Sequence, residues 1–390
     1  MNHLSPLPVP GHASTLDALR DLLPTLLAET AALDRSDEQP EAAVAALHRA
    51  GLLQAPLPRD LGGLGWGNEA AAAPALRDAL RLLGRASLPL GRLWEGHVNA
   101  LRLVAEYGTP EQRETAAADC AAGRLFGVWN SGDPAGLHLD PLDGAAEPAR
   151  FRLRGRKIYC SGAGLVERAL VTATAAGAPP RMLLVPLPRD TDRADLSDWA
   201  PTGMGPSRTG TVEFTGLTLG QEAVLGEPGD YLRQPGFSGG AWRFLAVQLG
   251  GLEALAEALR AHLNRTGRGG DAHQQGRLGS VLTAAETARL WVVSAAAVAE
   301  GGDRPTEEVV AYVNLARGAV ERAALDVLEL VQRSVGLPAF LSPNPIERMA
   351  RDLATYLRQP FPDGALCSAA AFGLGMARPV GDQWGDPTGS

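Results

Sequence analysis

Two neighbouring stretches decide the fold: "RLFGVWNSGDPAGLHLDP", residues 124–141, and "GRKIYCSGAG", residues 155–164. Each is a short apolar run that ends in Gly, Ser, Asp or Pro. The first runs into a turn at Asp133, Pro134 and Gly136, and the second places Tyr159, Cys160 and Ser161 at a strand end. Short runs of this kind with regular turn residues predict β-strands. They continue through "ALVTATA", "RMLLVPL" and "GTVEFTGLTL", so residues 124–236 read as a small barrel or sandwich. Backbone amides and hydroxyls in such turns suit a polar ring edge, and Trp129 and Tyr159 suit an aromatic face. Ordinary turn chemistry and core aromatics explain either stretch taken singly.

The sequence on both sides is helical. In residues 1–123, Leu16, Leu19, Leu22, Leu23, Leu26 and Leu27 repeat at helical spacing after an N-cap at Ser14 with Asp17. Gly108 fits the residue after a helix, and Thr109 with Pro110 fits the start of the next. In residues 237–390, one stripe runs through Leu245, Leu249, Leu252, Leu255 and Leu259. A second runs through Leu278, Leu282, Ala285, Val292 and Ala299, and a third through Val309, Val313, Ala316, Val320, Ala324, Val327 and Val331. "NPIERMARDLATYLRQ" supplies a fourth, which completes a four-helix bundle. This order excludes the βαβα alternation of a doubly wound nucleotide-binding fold.

Composition narrows the function classes. The 390 residues carry a formal charge of −8, which argues against nucleic acid or an anionic membrane held by bulk electrostatics. Cys120, Cys160 and Cys367 are far apart and odd in number, giving neither a disulfide framework nor zinc spacing. They fit a reducing cytoplasm. "MNHLSPLPVPGHAST" has no basic-then-apolar pattern, so no signal peptide is expected. No membrane span is expected either. The Gly/Pro-rich "PVGDQWGDPTGS" is expected to fray.

Two motifs suggest other chemistry. "GFSGG" matches the G-x-S-x-G pattern around Ser238, but a nucleophile elbow needs a strand before it. "GRGGDA", residues 267–272, fits a loose dinucleotide pattern yet also lacks that strand. Both read more simply as loops between helices, although Arg265 and Arg268 beside the second suit a phosphate.

Taken together, the chain resembles the acyl-CoA dehydrogenase flavoprotein family over nearly its whole length. "AGLLQAPLPRDLGGLG", "EYGTPEQRE", "GVWNSGDPAGL", "LRGRKIYCSGAG", "VEFTGLTLGQEAVLGEPGD", "LVQRSVGLPAF" and "IERMARDL" stand in the order of that family's motifs. The resemblance implies an α+β multidomain chain: an N-terminal α-helical domain, a central β-barrel and a C-terminal four-helix bundle. It also implies FAD between barrel and bundle, in a homodimer or homotetramer. Carried over by position, Trp129, Ser131, Gly132, Tyr159 and Ser161 would meet the flavin ring. Gln332 and Gly336 would meet the FAD of a neighbouring subunit, and Arg265 or Arg268 its phosphates. Gly132, Asp133 and Leu137 depart from the residues usual in the first turn.

The reaction implied is α,β-dehydrogenation of an acyl-CoA or similar thioester, with hydride passing to flavin N5 and electrons to an electron-transfer flavoprotein. It needs a carboxylate base. In the family that base is a glutamate nine residues after the arginine of "R-D". Counting from Arg351 reaches Pro360, which has neither a carboxylate nor an N–H. The alternative position before an arginine holds Trp242, ahead of Arg243. Asp363 is the nearby carboxylate, either as the base or as a solvated turn residue in "PFPDG". Without a base, a monooxygenase-like flavoenzyme and a catalytically silent binding protein are the alternatives.

Overall fold

The computed structural model describes residues 11–384, apart from 37, 143–149, 176–177, 190–191 and 359, and apart from the side chains of 133–135. The helical N-terminal part comprises α1 (His12–Leu33), α2 (Glu41–Arg49), α3 (Ala73–Ala86), α4 (Leu88–Tyr107) and α5 (Pro110–Ala121). Helix α1 starts two residues before Ser14. Gly11 is its N-cap, and the Ser14 hydroxyl donates back to the Gly11 carbonyl at 2.9 Å. The predicted Ser14 cap is therefore corrected. At Gly108 the backbone is extended, not left-handed, so the chain runs straight into the next cap. There Thr109 and Gln112 form a reciprocal capping box at the head of α5.

The β part has two sheets. One orders β1 (Phe126–Trp129), β4 (Arg168–Ala173), β5 (Arg181–Pro186) and β9 (Val224–Leu225), with β1 and β4 parallel. The other orders β2 (Gly132–Pro141), β3 (Arg150–Cys160), β7 (Gly210–Glu213) and β6 (Ala194–Asp195), with β8 (Thr218–Gly220) also on β3. The sheets join where Leu139 N–H donates to the Thr174 carbonyl and Thr174 N–H to that of Leu137. This closes the two sheets into the barrel-like centre. Residues 132–137, expected as a turn, belong to β2, with an irregular register against β3. The side chain of Asp133 lies outside the described residues.

The C-terminal part follows a short helix α6 (Gly236–Gly239) with α7 (Trp242–Arg265), α8 (Ala272–Glu300), α9 (Thr306–Val335), α10 (Pro345–Tyr356) and α11 (Pro362–Gly375). All the residues of the α7 and α9 stripes are buried. The α8 stripe is corrected: Leu282 is 53% exposed, and the buried face runs instead through Val281, Ala288, Val292, Ala295 and Ala296. The misreading arises because α8 is apolar around more of its circumference than one neighbour can cover. It is also long and apolar enough to cross a membrane by length and composition, against expectation. Here it packs against α7 and α9.

Helix α7 also holds the N-terminal part in place. It crosses α3 at two glycines: a Cβ at Gly84 would lie 2.0 Å from the Val247 carbonyl oxygen, and one at Gly250 2.1 Å from that of Arg81. Only the missing side chains permit that approach. Near Trp384 the tail is tied down, since its ring lies 5.3 Å from that of Tyr312 and Gln383 is buried. Residues 385–390 lie outside the described part.

Candidate functional site

The ends of β1 and β3 bring five predicted residues together. Trp129 is buried on the barrel side, where its indole N–H donates to the Ser161 carbonyl at 3.0 Å and its ring meets Phe214 edge-on. Ile158 N–H donates to the Ser131 carbonyl, and Gly132 pairs with Lys157. The Ser161 hydroxyl accepts from Thr209. Tyr159 sits at φ 55° and is 68% exposed. A non-glycine residue in the left-handed region costs about 1 kcal/mol or more, so the surroundings hold this ring outward. Beneath it, Lys157 donates to the Asn130 carbonyl at 3.2 Å and to Thr172 at 3.0 Å, and burial draws its ammonium down to about 8. The result is an exposed aromatic ring beside accessible backbone at Ser131 and Gly132.

Arg265, Arg268, Gln332 and Gly336 are not part of that platform. Arg265 and Arg268 lie at the far end of α7, a 24-residue helix and therefore about 35 Å long. Arg268 donates to the Ser334 carbonyl at 3.2 Å, near the end of α9, where Gly336 at φ 78° stops the helix. Arg268 therefore joins the end of α7 to the end of α9 near Gln332 and Gly336, apart from the platform.

A cavity of about 540 Å³ lies between α4, β1, α7, α9 and the α10–α11 junction. Val128 lines it, one residue before Trp129. Helix α4 contributes Glu95, Asn99 and Arg102, which share one face at spacings of four and three. Arg243 at the start of α7 donates to Asn99 Oδ1 at 2.5 Å and to Glu300 Oε1 at 3.1 Å. Arg102 and the Trp242 indole meet the same Glu300 oxygen at 2.7 and 2.8 Å. Burial lowers the Arg243 guanidinium to about 10, with Arg102 adding to the effect. Burial alone would raise the Glu300 carboxyl, but Arg102 and Arg243 hold it below the ordinary range. Such a wall is charged yet internally paired.

The α9 wall is different. Asn314 is 5% exposed and lines the cavity, and its amide has no hydrogen-bond partner among the described residues. Arg317, one turn on, donates to the Pro360 carbonyl at 2.7 Å and lies over the Phe244 ring.

The carboxylate sought at the α10–α11 junction is not on this cavity. Pro360 and Phe361 line it. Pro362 starts α11 instead of ending a turn, and Asp363 in that first turn is exposed and borders a separate shallow depression with Leu366. Ser238 does line the cavity, but its hydroxyl accepts from Gln234 at 2.7 Å. The loop at 267–272 is a short 3-10 turn in which Asp271 caps α8. No cluster able to hold a metal ion exists among the described residues. Sequence reasoning did not single out Glu95, Asn99, Asn314 or Arg317. The available signal was polar residues at helical spacing on otherwise apolar helices.

Helical domain, closed double sheet and terminal bundle, with a cavity where they meet, define the acyl-CoA dehydrogenase fold. Residues 10–124 match the family model for the acyl-CoA dehydrogenase N-terminal domain. It superimposes on butyryl-CoA dehydrogenase from Megasphaera elsdenii with a TM-score of 0.80 at 17% identity, covering 93% of this chain and 98% of that one. For TdsC from Paenibacillus sp. A11-2, in complex with FMN and indole, the TM-score is 0.81 at 20% identity, covering 95% and 99%. In sequence the chain is 28% identical to the amino sugar nitrososynthase DnmZ of Streptomyces peucetius, over 88% of each. It is also 28% identical to a dibenzothiophene monooxygenase of Mycolicibacterium goodii, where the match spans 47% of this chain and 44% of that protein.

Proposed function

We propose that this chain is a flavin-dependent monooxygenase acting on a small polar molecule. The observation that carries the reading is the α10–α11 junction. Where a dehydrogenase needs a base for the α-proton, the cavity meets the Pro360 carbonyl and the Phe361 ring, and Asp363 borders another depression. The names of two relatives, a monooxygenase and a nitrososynthase, support it.

The residues present fit a flavin. Exposed Tyr159, with Trp129, Ser131, Gly132 and Ser161, would hold the ring edge, and Lys157 beneath keeps the two strand ends in register. Arg265, Arg268, Gln332 and Gly336 would hold the phosphate end of a cofactor, FAD or FMN, seated on a second copy of the chain. A bound, externally reduced flavin supplies two electrons to dioxygen, placing one oxygen atom on the substrate and releasing the other as water. The chain's own contribution is to orient the substrate along Asn99, Arg243 and Asn314 and to keep bulk water out.

The test is oxygen uptake with a separate reductase and NADH supplying reduced flavin, across a panel of amino sugars and small heteroaromatics. Substrate-dependent uptake coupled to an oxygenated product is expected. A second reading, α,β-dehydrogenation of an acyl thioester with transfer to an electron-transfer flavoprotein, has the butyryl-CoA dehydrogenase fold in its favour. It requires anaerobic bleaching of the bound flavin by an acyl-CoA, lost in Asp363→Asn. Bleaching without any oxygen-dependent product would overturn the monooxygenase reading. A protein that stays colourless with added flavin would overturn both and leave a binding role.

A further inference from the structure

The charges around the cavity are not evenly matched. Glu95 pairs with Arg92 at 2.5 Å, Asp230 with Arg233 at 2.5 Å, and Glu300 takes both Arg102 and Arg243. Among the charged residues that line the cavity, Arg317 on α9 and the exposed Glu106 on α4 make no ion pair within the described residues. The carboxylate nearest in sequence on its own helix, Glu321, is engaged by Arg358 at 2.6 Å. Arg317 is held from two sides, by the Pro360 carbonyl and by the Phe244 face. A guanidinium has five N–H donors in a fixed fork, and one bond to a carbonyl leaves most of that fork unused. Burial lowers its pKa, and the nearby Glu321 offsets that effect only in part.

Asn314 supplies an independent observation. It lies three residues from Arg317 on the same face of α9, nineteen-twentieths buried, with an amide that lines the cavity and bonds to nothing described. The amide is not sealed in the core: it faces the cavity, where a bound molecule can pair with both its donor and its acceptor. Val310, one turn earlier, gives the same wall an apolar patch. The α9 wall therefore presents a rigid cationic fork, a neutral donor–acceptor and an apolar contact in sequence.

We propose that Arg317 and Asn314 form the substrate-recognition wall of the cavity and that the substrate carries an oxyanion, a carboxylate or a phosphate, bound by Arg317. The proposal deepens the monooxygenase reading by naming a substrate class, and it rests on the same cavity. Arg317 anchors the anion, Asn314 bonds the adjacent polar atom, and the reacting part of the molecule extends toward Val128 and the β1 end. The acyl-tail alternative has no use for either group.

The experiment is calorimetric titration of the purified full-length chain with pyrophosphate, with succinate and with glycerol. Each titration is done with and without saturating FMN, so that a phosphate site belonging to the cofactor is filled in one arm. Binding of one anion in both arms, with none of glycerol, is expected, and which anion binds separates phosphate from carboxylate. Arg317→Gln keeps a donor for the Pro360 carbonyl, and it is expected to weaken that binding about tenfold or more. Arg317→Lys should recover part of it, and Asn314→Leu should weaken it several-fold. Circular dichroism melting confirms that each variant folds. Failure of both anions to bind the wild type, or equal binding by Arg317→Gln, would overturn the proposal. No oxygen or reductant enters these titrations. A chain that binds the anion but never consumes oxygen therefore loses the monooxygenase reading and keeps this one.

Discussion

His97 shows how a single residue can be fixed in one protonation state by its surroundings. It is fully buried on α4, where Nδ1 accepts from the Phe126 N–H at 3.1 Å and Nε2 lies 2.9 Å from the Leu53 carbonyl. Nδ1 must be bare to accept, so Nε2 carries the hydrogen and donates. Burial pulls the imidazole down to about 4, from an ordinary value near 6.5. A depressed folded value means the contribution to stability is full above about 6.5 and is lost as pH falls through 4. Asp352, raised to about 6 chiefly by burial, acts in the same range with the opposite sign. The wild-type profile alone therefore hides both. We expect the stability gap between wild type and His97→Gln, from urea unfolding, to shrink by about 2–3 kcal/mol between pH 7 and pH 4.5. A gap that does not change with pH would show that His97 is not held neutral.

At the scale of elements, α5 depends on two residues that do different things. Thr109 only closes the helix start, whereas Gln112 closes it from the other side and also reaches the barrel. Its amide donates to the Glu222 carbonyl at 2.9 Å and to that of Val224 at 2.7 Å. Thr109→Ala should therefore cost about 1 kcal/mol. Gln112→Met should cost more, about 2 kcal/mol, because the helix start and two barrel carbonyls each lose a partner. Equal losses in urea unfolding would mean that the barrel contacts contribute nothing. The Thr109 cap could be read from "GTPEQ", because capping is local chemistry. So could the α7 and α9 stripes, since each faces a single core. Helix α8 could not, because Leu282 and Val281 are equally apolar and only the packing decides which is covered. The start of α11 was hidden for a similar reason: Pro362 marks a helix start as readily as a stop, and the choice depends on what α11 packs against. The cavity wall was the least legible part. Glu95, Arg243 and Glu300 meet from three helices, and no spacing along the chain joins them.

The whole molecule raises the question of what covers α8. Leu282 and Leu290 are 53% and 52% exposed, eight residues apart and so on one face. Only 33% of the helix's most apolar stretch is buried. An apolar face of that length is a liability on a single chain and marks a contact surface. A second copy is the occupant that also accounts for the far cluster, because Arg268 and Gly336 lie where α7 and α9 end and share no contact with the Tyr159 platform among the described residues. If both statements hold, breaking the contact must also weaken cofactor binding. We expect sedimentation of the wild type at micromolar concentration to give a dimer or tetramer. Leu282→Glu with Leu290→Glu should give a monomer that binds flavin at least tenfold more weakly, since charged groups on a buried apolar contact are strongly unfavourable. A wild-type monomer that retains flavin stoichiometrically would separate the two clusters for good, and with them the idea that one cofactor spans both.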